Sequence, residues 1–163
     1  MIKVIGVDPG LAATGIGIVQ GAGNKIAEYS FGMIKTSKCD SVPCRLDQIY
    51  FKLNQVLEKN KPDLMVVEDV FSLDRYPKSG ILLGKVSGIT LLAGYRQEVA
   101  IVEIPVREAK KVLTGNGNAT KIQLEKAVRH FLSHPEPIRP NHVSDALALA
   151  IIGLFRHRGL PFG

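Results

Sequence analysis

The chain has no tryptophan, only two cysteines and no apolar run long enough to cross a bilayer. Each shortage removes a class of protein. The longest apolar stretch, ALALAIIGLF, falls well short of the roughly 20 residues that a spanning helix needs. Cys39 and Cys44 form a single C-x4-C pair, and a zinc site requires a second pair, so both read as free thiols in a reducing compartment. There is no internal repeat, no low-complexity tract and no break in composition. The 163 residues therefore read as one domain, 1–163, long enough to bury a core. The opening MIKVIGVDPG has no charged leader, apolar stretch and small-residue cleavage site in succession. It reads as a strand, and a cytoplasmic location with no membrane partner is expected.

Acidic residues are also in short supply. Lys and Arg number 21 against 15 Asp and Glu, a net charge of +6. That surplus favours a polyanionic partner, and nucleic acid before a membrane surface, because no basic amphipathic helix stands out.

What is present is an ordered alternation of strand and helix signals. IKVIGV, residues 2 to 7, is a β-branched run stopped by Asp8-Pro9-Gly10. Residues 14 to 20 and 25 to 35 read as two more strands, joined by the hairpin signal GAGN. From Pro43 to Lys59 the apolar residues recur at three and four, which predicts a helix. LMVVE, 64 to 68, suits a central strand buried on both faces. A polar loop over 72 to 79 precedes a helix from Gly80 to Glu98, in which Gly84, Gly88 and Gly94 would allow close approach of a neighbour. VAIVEIP, 99 to 105, predicts another strand, and Arg107 to Leu113 a short helix. Thr120 and Gln123 have the spacing of a capping box, opening a helix to Leu132. SHPEPIRP reads as a proline-rich linker, and Asn141 as the N-cap of a last helix reaching His157. Hairpin strands followed by crossovers predict an α/β fold: a mixed sheet, antiparallel over its first three strands and parallel thereafter, flanked by helices.

Four polar residues hold suggestive positions in that order. Asp8 ends the first strand, Glu68 ends LMVVE, and His142 and Asp145 open the last helix. If the first and fourth strands are adjacent and parallel, Asp8 and Glu68 project at one sheet edge, and the last helix can bring its pair there too. Three carboxylates and an imidazole crowded together repel and desolvate one another unless a cation is present. Hard divalent ions suit carboxylate oxygens, Mg²⁺ first, with Mn²⁺ as the alternative that better accepts an imidazole. Two such ions about 4 Å apart activate water and stabilise the leaving oxygen of a phosphodiester. Taken singly, each residue has a plainer reading: a turn aspartate, a solvated strand end, first-turn helix polar groups. The joint pattern favours the site.

VDPGLAATGIGIV, VVEDVF, KKVLTGNGNATK and HVSDALALAI, in that order, resemble the RuvC-type Holliday junction resolvases, in register over about residues 3 to 155. The resemblance implies an RNase H-like fold, a homodimer, and metal-dependent nicking of two opposing strands of a four-way DNA junction. It assigns Asp8, Glu68 and Asp145 as metal ligands, with His142 where many members carry another aspartate and some, like this chain, a histidine. Lys110 and Lys121 match two lysines of the family's basic active-site surroundings, and Phe71 the aromatic that stacks on bases at the junction centre. After Phe71 the chain departs from the family pattern: SLDRYPKSGILLG is one residue longer and contains a proline. The lysine and asparagine usual there have no secure match, and Arg75 and Lys78 are the candidates to supply charge. The Gly-x3-Gly spacing of the following helix suits a dimer face. A branch-migration complex is a further candidate partner. The rival readings are another RNase H-like nuclease acting on RNA–DNA hybrids or flaps, and a non-catalytic junction-binding protein. A nucleotide hydrolase built on D-P-G-x4-G would need two such lobes, and this length supplies one.

Overall fold

The β-branched opening run forms β1 (Ile2–Asp8), and the next two runs form β2 (Ala13–Ala22) and β3 (Lys25–Lys35). Gly23 turns the hairpin between β2 and β3 with φ 59°, a conformation that glycine adopts without a Cβ penalty. The order continues as α1 (Val42–Asn60), β4 (Leu64–Glu68), α2 (Pro77–Arg96), β5 (Ala100–Ile104), α3 (Val106–Thr114), α4 (Lys121–Leu132) and α5 (Asn141–Arg156). These elements come from a computed structural model that describes residues 1–69 and 77–157.

The five strands form one sheet in the order β3-β2-β1-β4-β5. β1 and β2 are antiparallel, as are β2 and β3, while β1–β4 and β4–β5 are parallel. This is the mixed sheet expected from the sequence. Each face carries its own core. On one, Ile5, Val7, Ile16, Ile18, Met65 and Val67 meet α1 and α2. On the other, Val4, Val19, Leu64 and Val66 meet α3, α4 and α5.

Three local expectations are corrected. Residues 77 to 79, read as loop, are the first turn of α2. A helix admits Pro in its first turn because that N–H has no intrahelical partner to lose. Asn141 is the first residue of α5 and not its cap. The cap position is Pro140, without a side-chain bond; its carbonyl takes the Val143 N–H, and the Asn141 carbonyl takes the Ser144 hydroxyl. The segment 133 to 140 is packed, unlike a free linker: Ile138 is buried and its N–H donates to Glu125 Oε1 at 2.9 Å. The capping box at Thr120 and Gln123 forms as its spacing predicts.

Candidate active site

Strand alternation aims the first two carboxylates. Along β1, Val4, Gly6 and Asp8 face α5, while Ile5 and Val7 face the opposite core. In the parallel ladder Val7 stands opposite Val67, so Asp8 and Glu68 end their strands flush. Glu68 shares the face of Leu64 and Val66, toward the same helix.

Glycines bring that helix in. Asp8 pairs across the ladder with Gly15, and a Cβ on Gly15 would lie 2.0 Å from the His142 carbonyl oxygen. A Cβ on Gly6 would lie 1.9 Å from the Ala146 carbonyl oxygen, and one on Gly17 2.6 Å from the Leu147 nitrogen. No other residue lets the backbone of α5 lie directly on β1 and β2. The helix start therefore rests over Asp8, and the His142 Nδ1 to Asp8 Oδ2 distance is 2.7 Å.

Electrostatics bind the group together. Burial, more than any other cause, holds the Glu68 carboxyl far above the ordinary carboxylate range. A hydrogen bond to Asp8 and the charges of Asp8 and Asp145 push the same way, and Lys121 opposes them. Asp145 is raised to about 6, by burial first and then by the Asp8 charge, with Lys121, His142 and Lys110 opposing. The His142 imidazole is raised by its hydrogen bond to Asp8 and by the charges of Asp8 and Asp145, against burial and Lys121. Asp8 itself is 5% exposed, so its carboxylate leans on these neighbours more than on water.

A cluster that must hold protons to tolerate its own charge has the chemistry of a cation site, because a divalent ion replaces those protons. Three carboxylates and one imidazole are donors that a hard divalent cation accepts. Among the described residues, no three His, Cys, Asp or Glu side chains already frame an ion; a hydrogen bond draws His142 onto Asp8 instead. The donors fit such an ion by kind.

Of the other candidates, Lys121, in the first turn of α4, acts electrostatically on Glu68, His142 and Asp145, and Lys110 of α3 on Asp145. Lys78 is exposed in the first turn of α2, and among the described residues no hydrogen bond or ion pair ties it to the cluster. Phe71 and Arg75 lie outside the described residues. Cys39 and Cys44 are free and exposed, away from this group.

Residue-type reasoning overlooked two contributors. One is the glycine pair Gly15 and Gly17, whose signal was two glycines on one face of a strand otherwise rich in isoleucine and valine. The other is Arg45, a buried cation on α1. Its Nε donates to Thr36 Oγ1 at 2.8 Å, the Thr36 hydroxyl donates to the Leu11 carbonyl, and the Thr36 N–H donates to Ala12 at 3.2 Å. This relay anchors the turn that follows Asp8. An arginine in an amphipathic helix reads as solvated, which is why it was passed over.

Residues 4–153 match the family model for crossover junction endodeoxyribonuclease RuvC. A protein of that name from Carboxydothermus hydrogenoformans is 35% identical over 159 residues, 98% of this chain and 99% of its own. Its namesake from Prosthecochloris aestuarii is 36% identical, covering 93% of this chain and 80% of its own. Among solved structures, Thermus thermophilus RuvC in complex with a Holliday junction substrate superposes with a TM-score of 0.90 at 30% identity, over 97% of this chain and 96% of that one. The yeast mitochondrial resolvase Ydc2 shares the fold at 13% identity and a TM-score of 0.62. From a match that runs nearly end to end in sequence and in structure, the chain belongs to the RuvC family of crossover junction endodeoxyribonucleases.

Proposed function

We propose that this chain resolves four-way DNA junctions by paired, symmetric nicks, and that Asp8, Glu68, His142 and Asp145 are the residues that make it a nuclease. The family is one of metal-dependent nucleases, and these four side chains would hold the metal, two ions in each site, Mg²⁺ or Mn²⁺. When bound, such ions lower the pKa of a water and neutralise charge that builds on the phosphodiester. The chain's own groups do the rest. Asp8 is the hub, because it is buried, His142 bonds to it, and it raises the Glu68 and Asp145 carboxyls. Lys121 and Lys110 put positive charge beside the carboxylates, where it favours an incoming phosphate and the charge that develops on it. His142 offers a donor nitrogen without the negative charge of an aspartate, so this site repels phosphate less than an all-carboxylate one. Phe71 is assigned to stacking on bases at the junction centre, and Arg75 and Lys78 to phosphates near it. Products carry 5′-phosphate and 3′-hydroxyl ends.

The observation that carries this reading is the convergence of Asp8, Glu68, Asp145 and His142 from three elements onto one sheet edge. The test is Asp8→Asn on a synthetic four-way junction. Nicking with Mg²⁺ or Mn²⁺ falls by about 10³-fold or more, the scale lost when an electrostatic group at a reacting centre is removed, while junction affinity is retained. Loss of binding along with nicking would mean that Asp8 serves the fold. Faster cleavage of RNA–DNA hybrids than of junctions would move the substrate assignment to another RNase H-like activity.

A homodimer fits the unspent face of α2. Gly84 and Gly88 have open space where a Cβ would stand, and Ile81, Leu92 and Tyr95 on the same helix are 61%, 44% and 77% exposed. A two-fold pair of sites suits a two-fold symmetric junction. A branch-migration complex is proposed on family grounds alone.

A further inference from the structure

Past the carboxylate cluster, α4 and residues 137 to 141 enclose an open groove of about 590 Å³. It borders the site. Its lining includes Asn141, the residue before His142, and Ile122, the residue after Lys121. Its charge is one-sided. Glu125 is the carboxylate in the lining, and it is already committed: Oε1 accepts the Ile138 N–H at 2.9 Å and forms an ion pair with Arg129 Nε at 3.3 Å. Lys126 and Arg139 also line the groove, and among the described residues neither has a carboxylate partner. Glu136 is nearby in sequence but does not line it. One turn before Lys126 on α4, Ile122 is 68% exposed, an apolar platform in the same lining.

Cations that pair with no carboxylate among the described residues, set in one trough with an exposed aliphatic side chain, suit the alternating phosphate and sugar of a nucleic-acid strand. A small anion would be held by one of them and would leave Ile122 bare. We propose that this groove is the track for the cleaved strand to one side of the scissile phosphate. Lys126 and Arg139 contact flanking phosphates, and Ile122 packs on a sugar of the same strand. The proposal rests on the junction-nuclease reading and adds to it a surface that fixes the strand's direction away from the site. None of the three residues belongs to the catalytic cluster.

The experiment uses full-length protein and a synthetic four-way junction. Lys126→Gln with Arg139→Gln is compared with wild type and with Lys25→Gln/Lys52→Gln, a charge-matched control on β3 and α1. Each lost phosphate contact lowers the slope of log affinity against log salt by about 1. The groove variant should therefore lose about 2 from the slope and bind more weakly at moderate salt. Its single-turnover nicking rate at saturating junction should be unchanged, and the control should match wild type. Phosphate-ethylation interference gives a second readout: two interference positions to one side of the nick vanish in the groove variant. An unchanged slope, equal losses in the control, or interference on both sides of the nick would overturn the proposal. A groove variant that nicks more slowly at saturation with unaltered affinity would overturn it too, since the residues would then be shaping the His142 turn. Wild-type protein that neither binds nor nicks the junction would instead refute the resolvase reading on which the proposal stands.

Discussion

Two helices of this molecule are built from the same small and apolar residues and end in opposite circumstances. α5 is buried from Val143 to Leu154 apart from Asp145, with its backbone resting on Gly6, Gly15 and Gly17. α2 packs through Val86, Ala93 and Gly94 but leaves Ile81, Leu92, Tyr95, Gly84 and Gly88 exposed among the described residues. Composition alone does not separate them. What does is a partner that matches: β1 and β2 offer glycine where α5 must touch, and among the described elements none offers α2 an equivalent. α5 has thus become the rigid arm that aims His142 and Asp145, and α2 the element available to a second copy.

The largest expected effect comes from closing the space under α5. Gly6→Ala puts a methyl against the Ala146 carbonyl, a clash with backbone that no rotamer relieves. Destabilisation should exceed about 4 kcal/mol in urea unfolding, within the range reserved for core overpacking and strain. Gly88→Ala on α2 is the matched change, and in open space it should stabilise the isolated chain by up to about 1 kcal/mol through helix propensity. If the two glycines respond alike, the contrast between the helices is wrong.

The next effect concerns assembly. Leu92→Glu, on the uncovered face of α2, should shift the protein from dimer to monomer in sedimentation at micromolar concentration. It should also convert paired nicks on a junction into single, uncoordinated ones, with the thermal unfolding midpoint of the monomer little changed. A monodisperse dimer that still nicks in pairs would transfer the seam to another surface.

The two helices also differ in how far they could be read from the sequence. The order of elements and the mixed sheet followed from β-branched runs, turn residues and crossover rules, whereas the adjacency of the strands bearing Asp8 and Glu68 entered as a condition that the sheet order meets. His142 and Asp145 were legible because polar residues three apart at the mouth of an apolar helix are conspicuous. The close seat of α5 was not legible in detail, since it depends on which strand residue each helix residue meets, and register is a long-range property. Arg45 was missed for the same reason: its partners Thr36 and Leu11 lie in other elements, and a period of 3.6 within α1 carries no trace of them. The cap of α5 was misassigned because Asn is a strong capping residue in isolation, and here the packed segment before it starts the helix one residue earlier.

A smaller effect lies in the pH dependence of the metal-free protein. Asp145 is raised from 3.8 to about 6 and Glu68 is raised further, so the folded state binds more protons than the unfolded state across that interval. Stability must then fall as pH climbs from about 4 through 6 and beyond, by linkage. His142 is raised as well: its contribution is complete below 6.5 and fades as pH rises through its higher folded value, so all three groups act in one direction. The unfolding midpoint without metal should drop by several degrees between pH 5 and 8, on the order of what a few kcal/mol produce in a domain of this size. Saturating Mg²⁺ should flatten the curve by taking the place of the protons. Asp145→Asn should flatten it in part without metal, and a slope unchanged in that variant would assign the pH dependence to other groups.

The smallest expected effect tests His142, the histidine at the mouth of α5. His142→Asp keeps a donor at the mouth of α5 and adds a negative charge beside Asp8, Glu68 and Asp145. Junction nicking with Mg²⁺ should stay within about tenfold of wild type, because the number of donors is unchanged. The ratio of Mn²⁺-supported to Mg²⁺-supported rate should fall, because imidazole suits Mn²⁺ better than Mg²⁺ and a carboxylate suits both. Without metal the variant should be less stable at neutral pH, since a fourth carboxylate replaces the imidazole that now bonds to Asp8. A variant that folds, binds junctions and cannot nick with either ion would show that His142 does more than donate. The rotation of the ring, set by its 2.7 Å bond to the Asp8 carboxylate, would then be part of the chemistry.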